Sequence, residues 1–409
     1  MQHLRPGHLV QLLQGGQVYF PKLIEAIDAS VHEVRLETYI FSIDASGEQV
    51  ALALERAARR GVQVYLVMDG VGTPSLTAAW ASRFDAAGVE WRIFSPLGRL
   101  GLLIPSRWRR LHRKLCVVDG SLAFCGGINV LDDFHDHHGA PLESPRFDFA
   151  VCVSGPLVQA AHAAMVQFWW RLQAARTVRA ANLPQVWQAL QDAVRMKFHS
   201  DFDVRPDADL SAARPLGHPA RADLVLRDNV RNRARIERSY RHAIGEARHE
   251  IIIANAYFLP GRRLRKGLIH AARRGVRVRL LLQGRYDNFM QYHASRPVYG
   301  ALLAAGVEIH EYSVSYLHAK VAVIDGHWST VGSSNLDPLS LLLAREANVV
   351  VDDLAFAADL RTRLELAMRD GGVQVNPAAD AIRPWHVRCL DRLAFALMRI
   401  LLFLNGKRY

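Results

Sequence analysis

Two histidines, His112 and His318, stand in stretches with identical spacing. Leu111 to Asn129 reads LHRKLCVVDGSLAFCGGIN, and Leu317 to Asn335 reads LHAKVAVIDGHWSTVGSSN. Each histidine is followed two residues on by lysine (Lys114, Lys320), then by aspartate (Asp119, Asp325), glycine (Gly126, Gly332) and asparagine (Asn129, Asn335) at matched offsets. Histidine changes charge near neutral pH, so it can act as nucleophile or as general acid and base. The lysines sharpen this reading. Only six lysines occur among 51 basic residues, yet both copies carry one. An ammonium is a compact point charge where a guanidinium is a planar fork. Lysine at both places implies a point charge needed in a confined site. An internal repeat raises the odds that both copies share one function.

The elements that must position these residues repeat as well. In the first half, strand candidates at HLVQLL, Glu33 to Phe41, Val62 to Met68 and Val89 to Phe94 alternate with helix candidates. The helices are Phe20 to Ala29, Glu48 to Arg60 and Leu76 to Ala87, the last two ending at glycine. In the second half, strands at Asp223 to Leu226, Ile251 to Phe258 and from Val276 alternate with helices Ala234 to Ala247, Leu264 to Arg274 and Val298 to Ala305. AARRGV occurs at both Ala57 and Ala271, AAGVE occurs at both Ala86 and Ala304, and Tyr39-Ile40-Phe41 aligns with Tyr257-Phe258. The chain is therefore expected to be a duplicated α/β unit, with two mixed sheets flanked by helices. Expected boundaries are 1–175, a linker at 176–222, 223–376 and a tail at 377–409. Within the linker Gln185 to Met196 reads as helix, and Asp201 to Ala220 as an exposed loop.

At 409 residues, half of them apolar, the chain can bury two real cores. A net charge of +12 points to an anionic partner, either nucleic acid or acidic lipid. Cys116, Cys125, Cys152 and Cys389 lack metal-ligand spacing and fit a reducing compartment. The N-terminus lacks the pattern of a secretory signal, and no apolar run reaches bilayer-spanning length.

The paired motif resembles the HKD motif of the phospholipase D superfamily. LETYIF near the start, with SSNLDP and EANVVV near the end, resembles the bacterial cardiolipin synthases within it, and specifically the short class without an N-terminal transmembrane hairpin. The likeness runs from about Gly7 to about Val375. It implies two units packed about a pseudo-two-fold axis, with both motifs meeting in an active site at the interface.

Cleaving a phosphodiester requires a nucleophile, an acid for the leaving oxygen, and positive charge for the non-bridging oxygens. One histidine would form a phosphohistidine, and the other would protonate the leaving alcohol and deprotonate the incoming one. Residue types leave open which histidine attacks; the resemblance points to His112 as nucleophile and His318 as acid/base. Lys114 and Lys320 would hold the phosphate, with amide donors from Asn129 and Asn335 and a hydroxyl from Ser333. Asp148 and Glu346, which begin strand-like runs, would orient the histidines, as the resemblance implies for acids at about these places. Asp119 and Asp325 complete the catalytic signature and are expected to shape the motif. The stretch Asp132 to His138 contains three histidines and three aspartates but reads as a solvated polar loop, so catalysis is expected without metal or cofactor.

Two segments suit a lipid interface. Pro96 to Arg113 interleaves Leu100, Leu102, Leu103, Ile104 and Trp108 with arginines. Val387 to Leu404 places Arg388, Arg392 and Arg399 near one helical face, with Asp391 beside them, on an otherwise apolar helix. Such a helix either lies in a membrane interface or docks on a core. The expected activity is phosphatidyl transfer from one phosphatidylglycerol to another at an anionic membrane, on its cytoplasmic face. Rival readings are a phospholipase D using water, a phosphodiesterase nuclease, and a silent anion-binding protein. No obligatory nucleic acid partner is expected.

Overall fold

The computed structural model describes residues 4–98, 105–135, 140–179, 217–228, 232–285, 289–337, 343–378 and 383–404. The first half runs β1 (Arg5–Gln14), α1 (Gly16–Asp28), β2 (Glu33–Thr38), α2 (Ala45–Arg59), β3 (Gln63–Asp69), α3 (Ala78–Ala87), β4 (Glu90–Phe94), β5 (Arg110–Leu111), β6 (Lys114–Val118), β7 (Leu122–Gly126), β8 (Phe149–Ser154) and α4 (Leu157–Arg179). The second runs β9 (His218–Arg227), α5 (Arg235–Glu246), β10 (Glu250–Asn255), α6 (Arg262–Arg273), β11 (Arg277–Gln283), α7 (Phe289–Leu303), β12 (Glu308–Tyr312), β13 (Lys320–Ile324), β14 (Trp328–Gly332), β15 (Ala344–Asp352), α8 (Leu354–Gly371), β16 (Gly372–Gln374) and α9 (Trp385–Leu404).

Local chemistry explains the helix ends. Asp44 caps α2 through the Gly47 N–H at 3.0 Å, and Asp353 caps α8 through Phe356 N–H at 2.8 Å. Gly88 ends α3 in the left-handed region, at φ 86°. Helix α7 begins nine residues before the expected Val298 and holds Pro297 inside it. A proline reads as a boundary in sequence because it lacks an N–H, but here tertiary packing carries the helix across it.

The two halves have the same strand order. The first reads β4-β3-β2-β6-β7-β8-β1, and the second β12-β11-β10-β13-β14-β15-β9, with β16 added at its edge. The expected two mixed sheets are joined edge to edge into one, because β1 and β9 pair antiparallel, with Val10 opposite His218. A shared core of residues such as Leu115, Ala123, Val151, Val321, Val331 and Val349 fills the space between the inner faces of β6–β8 and β13–β15. Separate cores lie outside each half-sheet, under α1–α3 and under α5–α7. Strand β9 begins at His218, so the last residues of the expected linker are strand. Gln185 to Met196 and most of Asp201 to Ala220 lie outside the described residues.

Both motif aspartates have left-handed backbone, at φ 48° for Asp119 and 50° for Asp325. Asp119 accepts the N–H groups of Val31, His32 and Glu33 at 2.8–2.9 Å, and Asp325 those of Arg248, His249 and Glu250 over the same range. They tie the start of β2 to the end of β6, and the start of β10 to the end of β13. Five residues of strand separate each from its lysine, or about 16 Å at roughly 3.3 Å per residue. Their inclusion in the catalytic set is therefore corrected: they build the motif from its far end.

Candidate active site

The motif lysines open strands β6 and β13, and each histidine lies two residues before its strand. The turns carrying the histidines cross to the opposite half. Leu111 pairs with Arg345 on β15, and His112 N–H donates to the Arg345 carbonyl at 3.0 Å. Symmetrically, Leu317 bridges to Phe147, and His318 N–H donates to the Phe147 carbonyl at 2.9 Å. The residue after each of these carbonyls is the predicted acid.

As a result the acids serve the histidines crosswise. His112 Nδ1 lies 3.0 Å from Glu346 Oε1, and His318 Nδ1 lies 2.6 Å from Asp148 Oδ2. The unequal separations within each half, 36 and 28 residues, did not reveal this, because neither acid orients the histidine of its own half. With Nδ1 bonded to a carboxylate, Nε2 is the ring nitrogen left for chemistry in both histidines. The histidine side chains are 15% and 18% exposed, whereas the acids are buried.

The two half-sites differ in how they hold the acid. Ser333 Oγ donates to Glu346 Oε2 at 2.5 Å and accepts from Ala347 N–H at 3.1 Å. It is not free to bind phosphate, so its assignment to the phosphate site is corrected to support of Glu346. Its counterpart Gly127 has no such room, since a Cβ there would lie 2.2 Å from Asp148 Oδ1. Motif glycine Gly126 is needed for a similar reason, as its Cβ would fall 2.4 Å from the Ala150 Cα. Arg227 on β9 stands in register with Glu346, buried to 1%. Its Nε donates to the Arg233 carbonyl at 3.3 Å, but neither Nη atom has a hydrogen-bond partner among the described residues. This buried charge is balanced by the field of Glu346, Asp228 and Asp337, while burial lowers its pKa to about 10.

Lys114 and Lys320 are almost completely buried, and each donates to the carbonyl of its own motif histidine, Lys114 at 2.7 Å. Burial and the neighbouring Lys320 bring the Lys114 pKa down to about 7. Burial, with both lysines and His112, pushes His318 well below its ordinary value, and burial lowers His112 also. Burial raises the Asp148 carboxyl to about 7. The site thus gathers two lysines and two histidines whose charged forms repel one another. An anion bound between the lysines relieves that repulsion and favours protonation of lysine and histidine alike.

Asn129 Oδ1 accepts the Ile40 N–H at 3.1 Å, which leaves its amide N–H groups for a ligand. Asn335 is buried, and its Oδ1 has no partner among the described residues. Three residues were missed as contributors to the site. Tyr39 lies with its ring centroid 5.0 Å from His112 and 5.4 Å from Lys114 Nζ. By strand register its counterpart is Ala256, since Thr38 and Asn255 end β2 and β10; Tyr257 matches Ile40 instead. Where the first half has an aromatic lid, the second has a pocket lined by Ala256, Tyr257, Gln283, Arg285, Tyr292 and Arg296. The other two are Asp69 and Gln283, which accept the N–H groups of Leu111 at 2.7 Å and Leu317 at 3.2 Å. An acid ending the apolar run VYLVMD was the available signal for Asp69.

Other expectations turn out to be structural. Arg110 pairs with Asp69 at 3.0 Å and Arg107 donates to the Leu97 carbonyl, so these arginines of the apolar-basic loop point into the protein. Residues 99–104 of that loop lie outside the described residues. In the acidic-histidine stretch, Asp133 accepts from Gly16 N–H, and His135 lies 2.5 Å from Asp132. Residues 136–139 are outside the described residues.

Comparison with known proteins places this arrangement. The family model described as cardiolipin synthase, phospholipase D-like domain, matches residues 23–137 and 240–367, one stretch within each half. Cardiolipin synthase B of Escherichia coli K12 is 37% identical over 97% of this chain and 89% of its own length. The chain belongs to the phospholipase D-like cardiolipin synthase family. A Geobacillus kaustophilus cardiolipin synthase is 30% identical over 82% of this chain and 61% of its own. Among solved structures, phosphatidylserine synthase from Haemophilus influenzae superposes with a TM-score of 0.65 at 12% identity, covering 97% of this chain and 95% of that one. At that identity the likeness concerns the fold alone. Family membership agrees with the paired motifs and the duplicated α/β architecture described above.

Proposed function

We propose that this chain is a cardiolipin synthase that transfers a phosphatidyl group through a phosphohistidine on His112. The observation that carries the mechanism is the crossed pair of histidine–carboxylate contacts, with two buried lysines beside them. His112 Nε2 attacks phosphorus of one phosphatidylglycerol, forming a P–N bond as the P–O bond to glycerol breaks. His318 Nε2–H gives its proton to the departing glycerol oxygen. The terminal hydroxyl of a second phosphatidylglycerol then loses its proton to His318, and its oxygen attacks phosphorus. The P–N bond breaks, giving cardiolipin and free His112.

The electrostatics support these roles. The Asp148–His318 pair takes up its second proton near neutral pH, with the carboxyl at about 7. Whichever member carries that proton, His318 presents Nε2–H, the form an acid needs. The pocket beside Ala256 belongs to the second half-site, since its Gln283 accepts the N–H of Leu317, the residue before His318. Tyr39 instead covers His112, the side where water is to be kept off the covalent intermediate.

Mass spectrometry of products from phosphatidylglycerol tests the reading. Cardiolipin with equimolar glycerol is expected. Phosphatidic acid as the sole lipid product makes water the acceptor and overturns the transferase.

Alkaline pH provides a second test. Lys114 is charged below about 7 and loses charge above it, so the free site loses phosphate affinity as pH rises. We expect kcat/KM to fall on the alkaline side of about 7, while kcat persists to higher pH because bound phosphate raises both the lysine and histidine values. A kcat/KM that stays flat through this range would refute the role of Lys114.

A further inference from the structure

Helix α9 is docked and exposed at once. Its inner face rests on α7, and its buried carboxylate Asp391 is fixed at 2.7 Å by both His293 Nδ1 and Arg383 Nη1. Ala394 joins the core on the same face, with Phe395 packed against it. The expected alternative, docking on a core, is therefore present in the structure. It leaves the opposite face of the helix uncovered.

That opposite face is largely apolar, with His386 the exposed polar residue among its apolar side chains. Trp385 is 76% exposed and Leu393 66%, with Leu390, Leu397 and Cys389 exposed beside them. At 100° per residue these side chains cover one arc of about 140°. Arg388 and Arg392, both exposed, run along one edge of the arc. Asp391, the acid within this stretch, is turned inward and neutralised by its partners. The outward surface therefore combines apolar and cationic character.

We propose that this face of α9 is the membrane-docking surface, and that its occupant is an anionic phospholipid bilayer. The argument rests on the phosphatidylglycerol reading, because a lipid substrate must be reached from a bilayer. Three observations favour lipid over a protein partner. The arginines beside the apolar arc match anionic headgroups. A tryptophan at the start of the arc suits headgroup depth. Helix α7, which carries α9 on one face, lines the pocket beside Ala256 with Tyr292, Ser295, Arg296 and Tyr299 on another. Helix α7 thus links the docking helix directly to the pocket of the second half-site. The apolar arc edged by arginines fits a helix lying in the interface plane, and among the described residues no helix is long and apolar enough to cross a membrane.

Cys389 supplies the probe. It lies within the arc, between Trp385 and Leu393, and the other three cysteines are buried. An environment-sensitive fluorophore on Cys389 of the full chain should shift to an apolar signal with phosphatidylglycerol vesicles and stay aqueous with phosphatidylcholine vesicles. The double variant Trp385→Glu/Leu393→Glu should bind phosphatidylglycerol vesicles at least about tenfold more weakly in sedimentation. Arg388→Gln/Arg392→Gln should lose roughly 25-fold at low salt. Turnover of phosphatidylglycerol in detergent micelles should stay within about twofold in all of them, because none touches the site. Unchanged vesicle binding with an aqueous Cys389 signal would overturn the surface while leaving the transferase intact. Concentration-dependent dimerisation abolished by Leu393→Glu would also overturn it, by assigning the face to a second copy. Loss of micelle turnover in the unaltered chain would count against the functional reading instead.

Discussion

Replacing His112 with alanine is expected to lower cardiolipin formation by on the order of 10^4-fold or more. His318→Ala is expected to cost about 10^2- to 10^4-fold with phosphatidylglycerol as donor. Size alone will not separate a nucleophile from an acid, but the leaving group will. A donor whose leaving group is a nitrophenolate departs without a proton. With it, His318→Ala protein should still give a burst of nitrophenolate, one per active site, and accumulate a phosphatidyl-enzyme visible by mass spectrometry. His112→Ala protein should give neither. The accumulation follows because His318 is also the base for the second step, so the intermediate forms and then waits. If His112→Ala retains the burst and His318→Ala loses it, the two roles are reversed.

The second large effect comes from the crossed acids. Glu346→Gln keeps nearly the same shape but removes the charge facing His112 Nδ1, and an amide can hold the ring in the wrong tautomer. An equivalent change in Ser–His–Asp enzymes costs about 10^4-fold, and a loss of about 10^3- to 10^4-fold is expected here. With the nitrophenyl donor, Glu346→Gln should lose the burst as His112→Ala does. Asp148→Asn should keep it as His318→Ala does. Pairing within each half predicts the opposite pattern, with Asp148→Asn losing the burst. The geometry behind the expectation is specific: Glu346 lies at 3.0 Å from His112, and Asp148 at 2.6 Å from His318. A merely structural role for either acid would lower both bursts through loss of folded protein, which the thermal midpoint detects.

The inequivalence of the half-sites also has a physical basis. Glu346 is supported by the Ser333 hydroxyl and stands in register with the buried Arg227. Asp148 has Gly127 in place of the serine, and the position equivalent to Arg227 is Gly15, just past β1, whose N–H donates to the Asp148 carbonyl at 3.0 Å. One carboxylate is held among positive and donor groups, whereas burial raises the other to about 7. That division suits one histidine to attack and the other to carry a proton. It is encoded at positions outside the repeated motif, so the near-identity of the two motif copies conceals it.

Much of the fold was legible because it rests on local rules. Apolar runs bounded by glycine mark strands and helices, and a repeated order of them marks a duplication. The two histidines and two lysines were legible for a related reason. Their spacing is fixed by one strand, which opens at the lysine and closes at the aspartate, so it survives in the linear chain. The reading of Asp119 and Asp325 as residues that shape the motif was likewise available from the Asp-Gly turn, although they had been counted with the catalytic set. Ser333 was misassigned because a serine near a phosphate site and a serine bonded to a buried glutamate look the same in sequence.

The chain by itself determined the duplicated α/β units, the candidate reacting groups and the amphipathic character of the last helix. Each depends on neighbours within a few turns or strands. Tertiary structure alone decided which acid serves which histidine, because the contacts span 234 and 170 residues and arise where β5 meets β15 and Leu317 meets Phe147. It alone decided that the two half-sheets join through β1 and β9. It alone decided which face of α9 packs on α7 and which is left exposed. In each case the deciding energy is burial against a distant surface, and periodicity along one segment carries no record of what that surface will be.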